Sequence, residues 1–206
     1  MAGPALYNLI MGKTVPSGKT PVTFPKMVGQ IPLYYNRLNT GRPSYDPPML
    51  IDSIPIGCPQ FSIGQSSYWL ETPTEPLFPF GFGLSYTTFE YGETTVDPIE
   101  NNTSYIVQSS IKNTGSYDAY ETVQLYGRQL SGAVARPICE LKGFQKIFIP
   151  AGESRMIQFT VTREQLGYWH ETWEPTHRYF YAADDAEWIF SIAPHSGAAN
   201  LQKNNE

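Results

Sequence analysis

Nowhere in the 206 residues do about 18 apolar residues run together, so nothing in the chain reads as a bilayer-spanning helix. Clustered lysine and arginine are missing as well, and 14 basic against 19 acidic side chains leave a net charge of −5. Nucleic acid and anionic membrane are therefore poor partners, because their phosphates need a basic stripe. The first 13 residues have no basic region ahead of their apolar part and are too short for a secretory signal. Cysteine is scarce. Cys58 and Cys139 lie far apart in no metal-ligand spacing, which favours two free buried thiols over one long-range disulfide. Charge is sparse at 16%, while 41% of the residues are hydrophobic and 14% aromatic, the balance of a packed fold rather than a disordered one.

Ala5, Leu6, Leu9 and Ile10 recur at helical spacing, and Gly12 stands where a helix ends in the left-handed conformation. Met1 is followed by no capping residue, so the chain is expected to begin inside an element that lacks its start. Pro16-Ser17-Gly18-Lys19 makes a turn, and Thr20 to Phe24 an extended stretch closed by Pro25. Residues 25–80 are proline-rich and have few periodic runs, which points to a wrapping arm or an interface, and residues 1–80 as a whole are expected to leave apolar surface open. From Ser85 the period becomes 2. Tyr105, Val107, Ser109 and Ile111 share one strand face up to the turn Asn113-Thr114-Gly115. Val123 and Leu125 alternate with Gln124 and Tyr126, Ile157, Phe159 and Val161 with polar residues, and Trp188, Phe190 and Ile192 share a face. Six or seven short strands with regular turns predict a mainly β fold, a β-sandwich of immunoglobulin or fibronectin type III kind, with no interior helix.

Four stretches carry a resemblance. PSGKTPVTFP (16–25), GQIPLYYNRLNTGRP (29–43), PLFPFGFGLSYTTFEY (76–91) and ARPICELKGFQKIFIPAGESRMIQFTVTREQLGYW (135–169) resemble, in order, segments of glycoside hydrolase family 3, the retaining β-glucosidases and β-xylosidases. Val15 and Thr20 depart from the family's usual Asn and Leu, and 44–70 is a longer insertion than short members carry. The resemblance implies three parts: the truncated end of an α/β sandwich domain (1–40), a connecting arm (41–84) and a fibronectin type III-like domain (85–206). It further implies a catalytic nucleophile and a general acid/base upstream of these matches, so that neither maps onto this chain. Retaining hydrolysis needs two carboxyl groups about 5–5.5 Å apart. Asp46, Asp52, Glu71, Glu75, Asp184 and Asp185 offer no spacing that would hold such a pair, and are expected to be solvated or structural. Upstream catalytic domains are the implied partners, with β-linked oligosaccharides a further candidate, and the parent enzyme is expected to be periplasmic or extracellular in a bacterium. No cofactor or metal is expected.

Tyr34, Tyr35, Arg42, Tyr45, Tyr68 and Trp69 form an aromatic and cationic set that suits domain-interface packing or the lining of a sugar cleft. Tyr168, Trp169, His170, Trp173 and His177 form a second. Core packing would bury Trp169 and leave His170 outside, whereas a stand-alone sugar-binding module would display the set. Asn101 and Asn102 head glycosylation sequons, though in a bacterial chain they mean only a polar turn, the favoured reading. Gly81 and Gly83 precede no helix and so form no phosphate loop; they are expected to supply backbone conformations closed to other residues. The run around them is read as a domain seam, in which Phe78, Phe80 and Phe82 dock the arm and Tyr86 opens the sandwich.

Overall fold

The computed structural model describes residues 2–42, 50–58, 69, 71–99, 104–172 and 178–202, with backbone alone for 172 and 178–180. Helix α1 (Ala2–Ile10) ends at Gly12, whose φ of 69° is the left-handed stop expected there. Two single 3₁₀ turns, Val28–Gln30 and Ile51–Ser53, are the only helical pieces of the arm among the described residues.

Two sheets follow. In the first, β3 (Ser104–Asn113) pairs with β6 (Ser154–Val161) on one side; on the other, β1 (Phe89–Tyr91) and β2 (Thr95–Ile99) lie end to end along it. The second has the order β5 (Glu140–Ile149), β4 (Ala119–Gln129), β9 (Trp188–Ala193). A ribbon of β7 (Tyr168–Thr172) and β8 (Arg178–Ala182) stands apart. Period-2 patterning puts Val107, Ile111, Ile157, Phe159 and Val161 of the first sheet against Val123, Leu125, Ile149, Phe190 and Ile192 of the second. Burying each such side chain contributes roughly 1.5–3 kcal/mol. Asn113 closes β3 from within the core: its Nδ2 donates to the carbonyls of Tyr117 and Ile149 at 2.8 and 2.9 Å, and its Oδ1 accepts from Thr87 at 2.6 Å.

Four expectations are corrected. A helix does lie inside the sandwich, the single turn α2 (Arg163–Leu166), where the Thr162 N–H donates to Gln165 Oε1 at 2.9 Å in a capping box. Both cysteines are free, but only Cys139 is buried; Cys58 is exposed. Trp169 is 67% exposed and meets Tyr181 edge-on, while His170 is half-buried and stacks on Tyr168 at 4.0 Å. The order is reversed because β7 belongs to the outlying ribbon rather than to either core sheet. Finally, β4 does not alternate: Gln124 and Tyr126 are as buried as Val123 and Leu125, because its second face is covered by the arm.

Candidate functional site

The arm reaches the sandwich as a short antiparallel pair. The Thr20 and Phe24 amides donate to the carbonyls of Phe82 and Phe78, and Gly81 donates back to Thr20, each at 2.8 Å. These bonds carry the aromatic run across the outer face of β4. Phe78 stacks on Phe82 at 5.0 Å; Phe80 stacks on Tyr35 at 4.0 Å, and Tyr35 meets Tyr126 edge-on at 6.3 Å. Gln124 ties the layers together. Its Nε2 donates to the carbonyls of Gly81 and Pro194 at 3.0 and 2.7 Å, while its Oε1 accepts from Tyr126 at 2.6 Å. Burial pushes the phenol pKa of both Tyr35 and Tyr126 up, so both stay protonated.

The two glycines serve different needs. Gly81 has φ +79°, and a Cβ there would overlap the Gln124 side chain and lie 2.8 Å from Tyr126 Oη. At Gly83 the constraint is close approach alone, since a Cβ would run into the Gly18 carbonyl. Beside them, Lys19 reaches from the turn ahead of the arm to Glu121 at 2.9 Å, with side chains 12% and 3% exposed, and Tyr91 donates to the same carboxylate at 2.8 Å. Thr122 Oγ1 donates to the Ser17 carbonyl at 3.0 Å.

Between arm and sandwich a groove of about 810 Å³ remains, walled by Tyr34, Tyr35, Arg37, Trp69, Arg128 and Cys139 among others. Tyr34 stands 65% exposed, and Trp69 is held by its Nε1 donating to the Gly29 carbonyl at 2.9 Å. Burial pushes the Cys139 thiol up to about 12, so it is no nucleophile at neutral pH. Glu75 is the one carboxylate on the wall among the described residues, and it lies 4.0 Å from Lys26. A lone carboxylate cannot perform the two-carboxyl reaction. Asp52 and Glu71 are exposed, and Asp46 lies outside the described residues. Asp184 is structural: burial alone would raise its pKa, but donors from Tyr168, Ala133 and Gln129 hold it below the ordinary carboxylate range. Asp185 pairs with Arg163 at 3.0 Å. No group of three or more His, Cys, Asp or Glu among the described residues could hold a metal ion.

Residues 1–86 match the family model described as the glycosyl hydrolase family 3 C-terminal domain, and residues 121–178 match that of the fibronectin type III-like domain. The chain belongs to glycosyl hydrolase family 3. Its relatives include the periplasmic β-glucosidase of Salmonella typhimurium, 34% identical over 82% of this chain and 21% of that protein. A putative β-xylosidase of Formosa agariphila is 37% identical over 77% of this chain and 18% of its own length. The crystal structure of a β-glucosidase from Listeria innocua in complex with isofagomine superposes with a TM-score of 0.77 at 30% identity, over 98% of this chain and 26% of that one. The family 3 chain thus spans about a fifth of the length of the curated relatives it matches.

Of the residues singled out in the sequence, the seam set converges: Phe78, Phe80, Gly81, Phe82 and Gly83 all lie at the arm–sandwich contact. Tyr86 reaches further, donating to the Leu9 carbonyl of α1 at 2.8 Å. The aromatic set splits. Tyr34, Tyr35 and Trp69 line the groove, whereas Arg42 is exposed and off its wall, with its amide bonded to Thr40 Oγ1 at 3.1 Å. Tyr45, Tyr68, Trp173, His177 and the sequons at Asn101 and Asn102 lie outside the described residues. Sequence reading missed Gln124, Tyr126, Lys19, Glu121, Arg37 and Arg128. The available signal was Tyr126, an aromatic in the phase of β4 that alternates with Val123 and Leu125.

Proposed function

We propose that this chain is a non-catalytic C-terminal portion of a family 3 retaining β-glucosidase or β-xylosidase, where it stabilises the arrangement of the catalytic domains and supplies neither catalytic carboxylate. In this reading 1–40 complete the α/β sandwich domain, 41–84 are the connecting arm and 85–206 form the fibronectin type III-like domain. The observation that carries it is α1, which buries no residue and leaves Leu6, Tyr7, Ile10 and Met11 exposed at 57%, 52%, 77% and 59%. A contiguous apolar face of this kind marks a protein contact. Tyr86 links α1 to the start of the sandwich by a single hydrogen bond to the Leu9 carbonyl. Tyr34, Tyr35 and Trp69 then serve as lining of the interface.

A chimera tests the proposal: the catalytic portion of the Salmonella typhimurium β-glucosidase followed by this chain, assayed on an aryl β-glucoside after heating. Leu6→Ser with Ile10→Ser is expected to lower the temperature of half-inactivation by several degrees. An unchanged temperature would refute the role assigned to α1.

A further inference from the structure

The two outer faces of the sandwich differ in kind. That of the first sheet is largely polar, with Gln108, Ser110 and Lys112 on β3 opposite Gln158, Met156 and Ser154 on β6. On the second sheet, residues opposite one another share a face, so Tyr120, Thr122 and Gln124 of β4 lie beside Phe148, Lys146 and Phe144 of β5. The arm covers part of this face, bonding to Thr122 through Ser17 and to Gln124 through Gly81. Beyond the arm the face is open: Tyr120, Phe144 and Phe148 are 50%, 67% and 45% exposed. Three large aromatics on one rigid two-strand ladder, continuous with a surface that polypeptide already covers, have the composition of an interface core rather than of a solvated sheet.

We infer that the open face formed by Tyr120, Phe144 and Phe148 is a second docking surface for the catalytic portion of a family 3 enzyme, continuing the layer that the arm begins. The inference rests on the reading under Proposed function, and extends it from α1 to the second sheet of the sandwich. Two observations choose this occupant. The matched relatives carry some four-fifths of their length outside the region this chain spans, so a partner large enough to cover the face exists in those proteins. The Tyr120 and Phe148 rings, 5.2 Å apart, are tilted by 55° and Lys146 Nζ lies 5.4 Å from the Tyr120 centroid, so they offer no flat plate for pyranose rings.

Hydroxyl-radical footprinting read by mass spectrometry tests this without any substitution. The full 206-residue chain is compared with the chimera bearing the Salmonella typhimurium catalytic portion. The expected result is that oxidation of Phe144 and Phe148 falls at least fivefold in the chimera, while that of Met156 on the other sheet is unchanged. If Leu6 and Tyr7 become protected and Phe144 and Phe148 do not, this inference fails and the α1 contact stands; if neither pair is protected, both fail. Protection within the isolated chain that grows with its concentration identifies a second copy as the occupant and overturns the proposal. So does protection of the isolated chain by cellohexaose or xylohexaose. Where the fusion is insoluble, the two parts co-expressed as separate polypeptides give the same readout and the same deciding outcomes.

Discussion

Gly81 is the residue on which the seam depends most. Gly81→Ala adds a side chain in the left-handed region and against Gln124 and Tyr126, so it is expected to cost about 2–4 kcal/mol, read as a lowered urea midpoint at constant slope. Gly152→Ala, with φ +77° and nothing within 4 Å, should cost only about 1 kcal/mol and isolates the backbone contribution. The glycines were legible as special in the sequence because they punctuate an aromatic run; which neighbours they accommodate was not. Gln124 and Tyr126 occupy the polar phase of an alternating strand, and alternation cannot distinguish a face turned to water from one covered by another part of the chain. His195 adds a pH dependence at the same place. Burial and the charge of Lys19 hold its imidazole below the ordinary histidine value, so the folded chain binds fewer protons than the unfolded one. The associated stability is complete above about pH 6.5, the ordinary histidine value, and declines as pH falls toward the lowered folded value. Urea midpoints between pH 7.5 and 5 should show the decline, and His195→Gln should flatten it.

Among elements, the extended stretch that carries Lys19 is held to β4 by an ion pair shielded from solvent. Lys19→Met leaves Glu121 buried with Tyr91 as its remaining partner among the described residues and is expected to cost about 3 kcal/mol, whereas adding Glu121→Gln should recover most of the loss. A double-mutant cycle by denaturant unfolding measures this. Helix α1 stands at the other extreme. With nine residues and none buried it has little beyond its local bonds and the Tyr86 hydroxyl to hold it, so its amides should exchange within seconds in the isolated chain while those of β3 and β4 stay protected. The strands and α1 were readable because each has a clear period and a stop signal, Gly12 for the helix and Asn113-Thr114-Gly115 for β3. The single turn of α2 was not, since four residues carry no periodicity and only the Thr162–Gln165 capping pair announces it.

For the molecule as a whole, the sandwich has a core of its own: among the described residues eleven buried hydrophobic side chains from both sheets, α2 included, form one cluster, while Tyr126, Cys139, Ala193 and Leu201 form a second with Tyr35 and Phe80 where the arm packs on β4. The region before the sandwich is far less buried. Leu6, Ile10, Val28 and Ile31 are all more than half exposed, in keeping with the apolar surface expected of residues 1–80. What the sequence could not reveal is that the arm's own packing is spent on β4, leaving a groove with a single carboxylate on its wall among the described residues and an aromatic face on the strands beyond. In the role proposed above, the chain supports catalysis by other domains and performs none itself. The direct measurement is hydrolysis of 4-nitrophenyl β-glucoside and β-xyloside by the purified 206-residue chain. No turnover above buffer is expected; turnover that disappears on substituting one carboxylate of this chain, Glu75→Gln first, would contradict the assignment.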